Sequence, residues 1–181
     1  MKMHFCTIDT NYLDHLRSKE PRIPHSDYGE NHYKPFFHTL FVVDGLAYVT
    51  QVTSPKERHR HMHNTLDFKK LFIETNNFKK GKRTRFYVGA VNLNYMFPVP
   101  TDKLKDLDFG RIEEVRSFEN DKKRQKYVYF LKQELKAINE LHLENAAQKL
   151  YRVKYSSPEA PVSKRSLDFK QLEQYAKQYK D

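Results

Sequence analysis

The residues best suited to chemistry lie in one stretch, Val52-Thr53-Ser54-Pro55-Lys56-Glu57-Arg58-His59-Arg60-His61-Met62-His63-Asn64. It follows an apolar, β-branched run and packs two hydroxyls, a proline and a dense block of cations into one segment. A chain leaving a strand through Thr-Ser-Pro cannot continue a sheet ladder at Pro55, and Ser54, preceding a proline, is driven away from helical geometry. The hydroxyls and Lys56 are therefore expected on a loop, beside several imidazoles. Such a loop suits phosphate chemistry: a hydroxyl such as Ser54 can hold a phosphate or a sugar hydroxyl, and Lys56 can share a proton or stabilise negative oxygens. A pair of histidines acting as general acid and base competes with the lysine for that role. His59-x-His61-x-His63 would also put its imidazoles on one strand face, as metal ligands, if the segment were extended. No carboxylate pattern accompanies these histidines, so no metal or other cofactor is assigned.

The wider composition favours a polyanionic partner. Lys and Arg number 33 against 23 Asp and Glu, a net charge of +10, and such a field attracts nucleic acid first and anionic membrane second. The cations are interleaved with 12 Tyr and 13 Phe, a mixture that grips unstacked bases as well as phosphates. Those aromatics also supply enough burial to make a folded domain of 181 residues, despite a charged fraction of 31%. Five glycines form no Gly-x-Gly-x-x-Gly or Walker pattern, which argues against a kinase, NTPase or dinucleotide enzyme. Cys6 stands alone, so no intrachain disulfide is possible and a reducing compartment is expected. The N-terminus lacks the apolar core of a signal peptide, and no apolar run approaches a membrane span. These features predict a soluble, cytoplasmic protein.

The elements that must position the loop are legible from periodicity. Met3 to Ile8 alternates as a strand, and Asp9 or Thr10 caps a helix over Asn11 to Lys19. A polar loop from Pro21 to Lys34 carries His25, Tyr28, His32 and Tyr33, long and aromatic enough to be functional. Phe36 to Val43 and Leu46 to Val52 flank Asp44-Gly45, a type I′ turn signal, and form a hairpin that runs into Thr53. Further strands are expected over Phe68 to Ile73 and Phe86 to Asn92, while Pro98 and Pro100 should stop regular pairing. Beyond Thr101 the period turns helical: a long helix over Asn120 to Leu141, whose Tyr127 to Ile138 face is read as core, then a piece over His142 to Tyr155. Ser156 to Pro161 reads as a linker, and Ser166 as the cap of a last helix. The fold class is α+β: a twisted antiparallel sheet in residues 1–100 and a helical half in 101–181, together a single domain.

Two motif strings give this chain a resemblance. Tyr48-x-x-x-Val52-Thr53-Ser54-Pro55-Lys56 after a hairpin, followed by Val91-Asn92-Leu93-Asn94-Tyr95-Met96-Phe97-Pro98-Val99-Pro100, resembles the ToxN/AbiQ family of type III toxin–antitoxin endoribonucleases. Phe5-x-Thr7-Ile8 with Asn11-Tyr12-Leu13, and Lys34-Pro35-Phe36 ahead of the hairpin, extend the match over Met3 to Pro100. The resemblance implies a strongly twisted antiparallel sheet packed by helices, similar to MazF-type toxins. It implies metal-independent RNA cleavage that leaves a 2′,3′-cyclic phosphate. Thr53, Ser54 and Lys56 would form the active site, with a loop tyrosine that is Tyr33 or Tyr28, Tyr33 preferred. The implied partners are a small, repeated, structured RNA antitoxin, which the toxin also processes and joins in a toxin–RNA ring, and a cellular or phage RNA substrate.

RNA grip is expected from Arg58, His59, Arg60 and His61 behind the site, and from Tyr28. The most basic connection adds Lys79, Lys80, Lys82, Arg83 and Arg85 as a backbone clamp. Whether Lys56 or a histidine moves the proton stays open at this level. The rival readings are a non-catalytic RNA- or DNA-binding module and a histidine-dependent metal nuclease.

Overall fold

Alternation and turn chemistry build the sheet first. In the computed structural model, which describes residues 2–29, 32–77 and 82–180 with backbone only at 76–77 and 82–83, β2 (Phe36–Val43) and β3 (Leu46–Thr53) form a hairpin. Asp44 and Gly45 close it with φ of 49° and 77°, the paired positive values a type I′ turn requires. β1 (His4–Ile8) pairs with β2, and β7 (Leu104–Asp106) pairs with β1. On the other side, the first half of β3 pairs with β6 (Phe97–Pro100) and its end, Val52–Thr53, pairs with β5 (Lys82–Asn92). β5 pairs in turn with β4 (Phe68–Asn77), giving an antiparallel sheet in the order β4-β5-β3-β2-β1-β7. β3 is thus the central strand, and all of it but Thr53 is buried.

The expected break at Pro98 and Pro100 is not found. Both pair in register, with Tyr48 and Leu46. β6 is an edge segment, where a missing N–H costs little, and the Pro98 carbonyl is occupied by the buried Tyr12 hydroxyl at 2.7 Å. Tyr12 belongs to α1 (Thr10–Lys19), whose cap is Asp9, accepting from the Tyr12 N–H at 2.9 Å.

The second half of the chain covers the sheet with helices, each laying an apolar stripe on it. α3 (Asp121–Glu140) packs on β4, α4 (Leu143–Ser156) on β2, and α6 (Phe169–Gln178) on β6. Within the expected linker, Pro161 at the first helical position starts a short helix, α5 (Pro161–Arg165). The cap of α6 is Asp168 rather than Ser166, whose hydroxyl turns back to the Val162 carbonyl at 2.6 Å. Arg165 reaches across to the buried Asp67 with paired bonds of 2.6 and 2.8 Å, fixing α5 to the segment before β4. Tyr48, Tyr151 and Phe169 pack mutually over the sheet, and the buried Glu173 accepts both tyrosine hydroxyls, at 2.7 and 2.9 Å.

One close approach sets where β3 ends. The register of β4 against β5 shifts between Leu71 and Phe72, opposite Gly89, and there β5 meets Val52 and Thr53 of β3. A Cβ on Gly89 would overlap the Thr53 carbonyl oxygen and stand 2.7 Å from Val52 Cγ1. Gly89→Ala is therefore expected to force β5 away from Thr53 and destabilise the fold by about 1–3 kcal/mol, as overpacking does, which a thermal melt would register. An unchanged melting temperature would show that the strands can part freely at this point.

Candidate active site

The loop between α1 and β2 is held to the central strand by one buried amide. Gln51, only 4% exposed, donates from Nε2 to the carbonyls of His25 (2.8 Å) and Lys34 (3.0 Å), while its Oε1 accepts from the Tyr28 hydroxyl at 3.0 Å. The Lys34 N–H adds a bond to the Ser26 carbonyl, 2.8 Å. Clamped at both ends, the loop delivers Lys34 over the end of β3, where its ammonium donates to Ser54 Oγ at 2.5 Å.

Thr53 and Ser54 divide the work that their types suggested. The Thr53 hydroxyl donates to the Ala90 carbonyl (2.9 Å) and accepts from Asn92 Nδ2 (3.3 Å), so it anchors the site to β5. Ser54 is exposed, and Pro55 after it breaks the ladder and frees its side chain. Lys56 is exposed one step before α2 (Glu57–Arg60), close enough to Lys34 to be felt electrostatically. Burial lowers the pKa of Lys34 from its usual value, the Glu134 carboxyl opposes that shift, and the Lys56 charge adds to it.

The residues after Lys56 do not behave as a uniform basic face. The turn of α2 points Arg58 and Arg60 outward but carries His59 inward, 5% exposed, with its ring 5.3 Å from that of Phe68. Burial, then Arg58 and Lys56, lower the His59 pKa. His59 thus packs against Phe68 instead of standing on the exposed face with Arg58 and Arg60. His61 is exposed, 3.9 Å from Glu57. Because the segment is helical at 57–60, the alternate histidines do not share an extended face. Among the described residues no group of three or more His, Cys, Asp or Glu is arranged to hold a metal ion.

The two candidate tyrosines line different cavities at the site. Tyr28 is 51% exposed and its ring centroid lies 5.4 Å from the Lys34 ammonium. It lines a cleft of about 190 Å³ with Arg22, Thr53, Asn92 and Tyr95. Tyr33 lines a second cavity of about 240 Å³ together with Lys34 and Ser54. Burial pushes the Tyr33 hydroxyl well above its usual pKa, so it suits packing and hydrogen bonding rather than proton abstraction. Its carbonyl accepts the Tyr127 hydroxyl at 3.2 Å. The basic hairpin is less complete in view. Arg85 lies over the Phe72 ring at 4.0 Å, in a cleft against α3 that does not include Ser54. Lys79 and Lys80 lie outside the described residues, and of Lys82 and Arg83 only the backbone is described.

In the sequence Lys34 stands out only as part of a string before the hairpin, yet it is the cation in contact with Ser54. Its signal was a lone lysine closing an aromatic loop just ahead of Pro35. The face from Tyr127 to Ile138 of α3, expected to be pure core, also lines the 240 Å³ cavity through Tyr127, Leu131 and Glu134. Glu134 is 7% exposed, and burial raises its carboxyl to about 7, with Lys34 pulling the other way. A carboxylate at the apolar spacing, three residues after Leu131 and four before Ile138, was the available clue.

Known proteins share these features. A family model described as toxin ToxN of the type III toxin–antitoxin system matches residues 4–177. Endoribonuclease ToxN of Bacillus thuringiensis subsp. kurstaki is 25% identical over 182 residues, covering 98% of this chain and 84% of that protein. Endoribonuclease ToxN of Pectobacterium atrosepticum is 27% identical over 112 residues, 61% of each chain. AbiQ, a lactococcal anti-phage endoribonuclease belonging to the type III toxin–antitoxin system, has a similar solved structure: TM-score 0.72 at 22% identity, covering 98% of this chain and 97% of that one. A structure from a bacterial type III system, in which a non-coding RNA pseudoknot selectively inhibits the toxin, superposes with TM-score 0.71 at 23% identity, covering 100% and 99%. At these identities the two structures establish a shared fold, with the antiparallel sheet and helical second half expected above.

Two measurements test the geometry. Gln51→Leu removes the clamp while keeping an apolar volume on β3. It should leave two carbonyls and a hydroxyl without their partner, destabilise the chain by about 1–3 kcal/mol, and speed hydrogen exchange across residues 25–34; unaltered exchange there would refute the clamp. Glu134 gives a pH signature. The folded chain keeps this proton up to about pH 7, whereas an ordinary glutamate loses it near 4.5. Its contribution is thus complete below pH 4.5 and lost as pH rises through 7, an effect on the order of 3 kcal/mol. Glu134→Gln should therefore raise the melting temperature relative to wild type at pH 8 and leave it nearly level at pH 4.5; an equal difference at both pH values would contradict the burial argument.

Proposed function

The chain belongs to the ToxN family of type III toxin–antitoxin toxins, and from that premise we propose that it is an endoribonuclease whose reacting centre is Ser54 with Lys34 and Lys56. The reading is carried by the Lys34 ammonium lying 2.5 Å from Ser54 Oγ, beside a cavity open to a substrate. RNA brings its own nucleophile, the 2′-OH. Its oxygen attacks the adjacent phosphorus as its proton is taken up by a basic group of the site, the bond from phosphorus to the 5′-oxygen breaks, and that oxygen receives a proton in turn, so the products are a 2′,3′-cyclic phosphate and a 5′-hydroxyl. Ser54, its oxygen accepting from Lys34, can donate its own proton to a phosphate oxygen and hold the group in line. Lys34, its pKa lowered, is the better of the two lysines for moving a proton, while exposed Lys56 stabilises charge on the phosphorane. Thr53 fixes the loop, and Tyr28 and Tyr33, in the linings of two separate cavities, offer stacking surfaces. None of these steps routes through a metal.

The net charge of +10 supports RNA as both substrate and inhibitor. In keeping with the type III family, we infer that the antitoxin is a small structured RNA, cut from a repeated precursor by the toxin and joined with it in a closed ring. The site of action is the cytoplasm, consistent with a buried, unpaired Cys6 and with described helices none of which is long and apolar enough to cross a membrane.

Ser54→Ala and Lys34→Ala are each expected to slow RNA cleavage on the order of a hundredfold or more while the circular dichroism spectrum stays folded. Lys56→Ala should fall in the same direction. Wild-type cleavage should persist in chelator and leave cyclic phosphate ends on the upstream fragment. Salt-sensitive RNA binding without cleavage would instead identify a binding module, and full activity in both the Lys34 and Ser54 variants would displace the site.

A further inference from the structure

The cavity beside Ser54 has the walls of a base-binding site. Tyr33 and Val52 line it together with Tyr127, Phe130 and Leu131 of α3, and Lys34 and Ser54 belong to the same lining. Tyr127 is held in place by its bond to the Tyr33 carbonyl, and the Arg116 guanidinium lies 4.4 Å from its ring centroid. Apolar and aromatic walls with a few convergent polar groups characterise ligand pockets in general and unstacked-base pockets in particular.

Two polar groups of opposite charge, Glu134 and Arg116, line this cavity. Glu134 is buried on α3, where the Lys34 charge acts on its carboxyl, and it makes no hydrogen bond among the described residues. Arg116 Nε is buried and likewise has no hydrogen-bond partner. A carboxylate and a guanidinium in the lining of one cavity offer a ligand both an acceptor and donors. A nucleobase edge uses both when an amino group donates to Glu134 and a ring nitrogen or carbonyl accepts from Arg116.

We propose that this cavity is a nucleobase subsite, in which Glu134 selects a base bearing an exocyclic amino group (adenine, guanine or cytosine) over uracil at one nucleotide flanking the scissile phosphate. The proposal rests on the ribonuclease reading and adds to it the residue that reads sequence. Uracil offers only its N3–H, flanked on both sides by carbonyl oxygens that a carboxylate repels. At pH 8 Glu134 is mainly ionised, since burial holds it at about 7, and so acts as an acceptor only. The charged or titratable neighbours lining the same cavity are Lys34, Arg116, Tyr127, Tyr33 and His32.

The test is to cleave a randomised RNA pool at pH 8 with wild type, Glu134→Gln, Glu134→Leu and Phe130→Ala, then sequence the new ends. Base preference is a ratio within one reaction, independent of how much enzyme is folded. Wild type should disfavour uracil roughly tenfold or more at one flanking position, the discrimination of a good base contact. Glu134→Leu should flatten that preference, and Glu134→Gln, whose amide also donates, should admit uracil. Phe130 is 39% exposed at the cavity wall, and its truncation should weaken the preference at the same position and no other. Wild-type cleavage with uracil preferred or indifferent at both flanking positions, or a wild-type pattern retained by Glu134→Leu, overturns the subsite and leaves the nuclease standing. A wild-type protein that cuts nothing in the pool overturns the nuclease reading itself.

Discussion

The hydrogen bonds of the Gln51 amide are the constraint on which the site depends. A side-chain amide inside a central strand is a poor choice for packing alone, because each unpaired donor or acceptor costs about 1–3 kcal/mol when buried. Here both Nε2 protons and the Oε1 are used, and every partner lies on the loop from His25 to Lys34. The amide therefore converts a long polar connection into a fixed shelf on β3. Lys34 and Ser54 are 20 residues apart in sequence, and this shelf brings them to hydrogen-bond distance. Gly89 does the complementary work from β5, by letting that strand close on Thr53 where a side chain would hold it off.

What the shelf presents is a lysine bound to a hydroxyl instead of a carboxylate. A salt bridge would neutralise the charge and spend it inside the protein. Among the described residues, Lys34 makes none, and the carboxyl that faces it is itself held largely by burial at about 7. At an effective dielectric of about 20, a unit charge 4 Å from a phosphate oxygen is worth roughly 4 kcal/mol. That interaction is kept for a polyanion. Lys56, exposed and outside the cavity, adds charge without competing for the Ser54 contact.

Local chemistry was legible from the sequence where a single segment contained the whole signal. Asp44-Gly45 announced its hairpin because both residues tolerate positive φ, and Thr53-Ser54-Pro55 announced a strand leaving its ladder. The period of α3 gave its length to within a residue at each end. The failures share one cause, in that a partner distant in sequence decided the outcome. Pro98 and Pro100 were read as breakers because their missing N–H groups were visible, while the edge position that makes the loss harmless was not. His59 looked like its exposed neighbours until Phe68 covered it. Lys34 was legible only as the end of a loop and Glu134 only as part of a core-facing stretch, and the folded sheet and α3 put them in one cavity. Pro161 was read as linker although the same residue type opens helices, a choice that Arg165 and Asp67 settle through their paired bonds.

The remaining basic residues act at longer range. The Lys70 ammonium reaches the Arg60 carbonyl at 3.2 Å, which ties α2 to the start of the edge strand β4. Charge on that edge also guards it against pairing with another strand. At physiological salt, a screening length of about 8 Å confines the influence of exposed charges to their neighbourhood. The cations on α2 and the hairpin can then collect and orient an RNA strand, but Lys34, partly buried and bonded to Ser54, is screened far less. Affinity should therefore be carried mostly by the outer cations and chemistry by the inner one. This division follows from burial alone: a group must lose water before its charge can act on one particular phosphate rather than on any phosphate that passes.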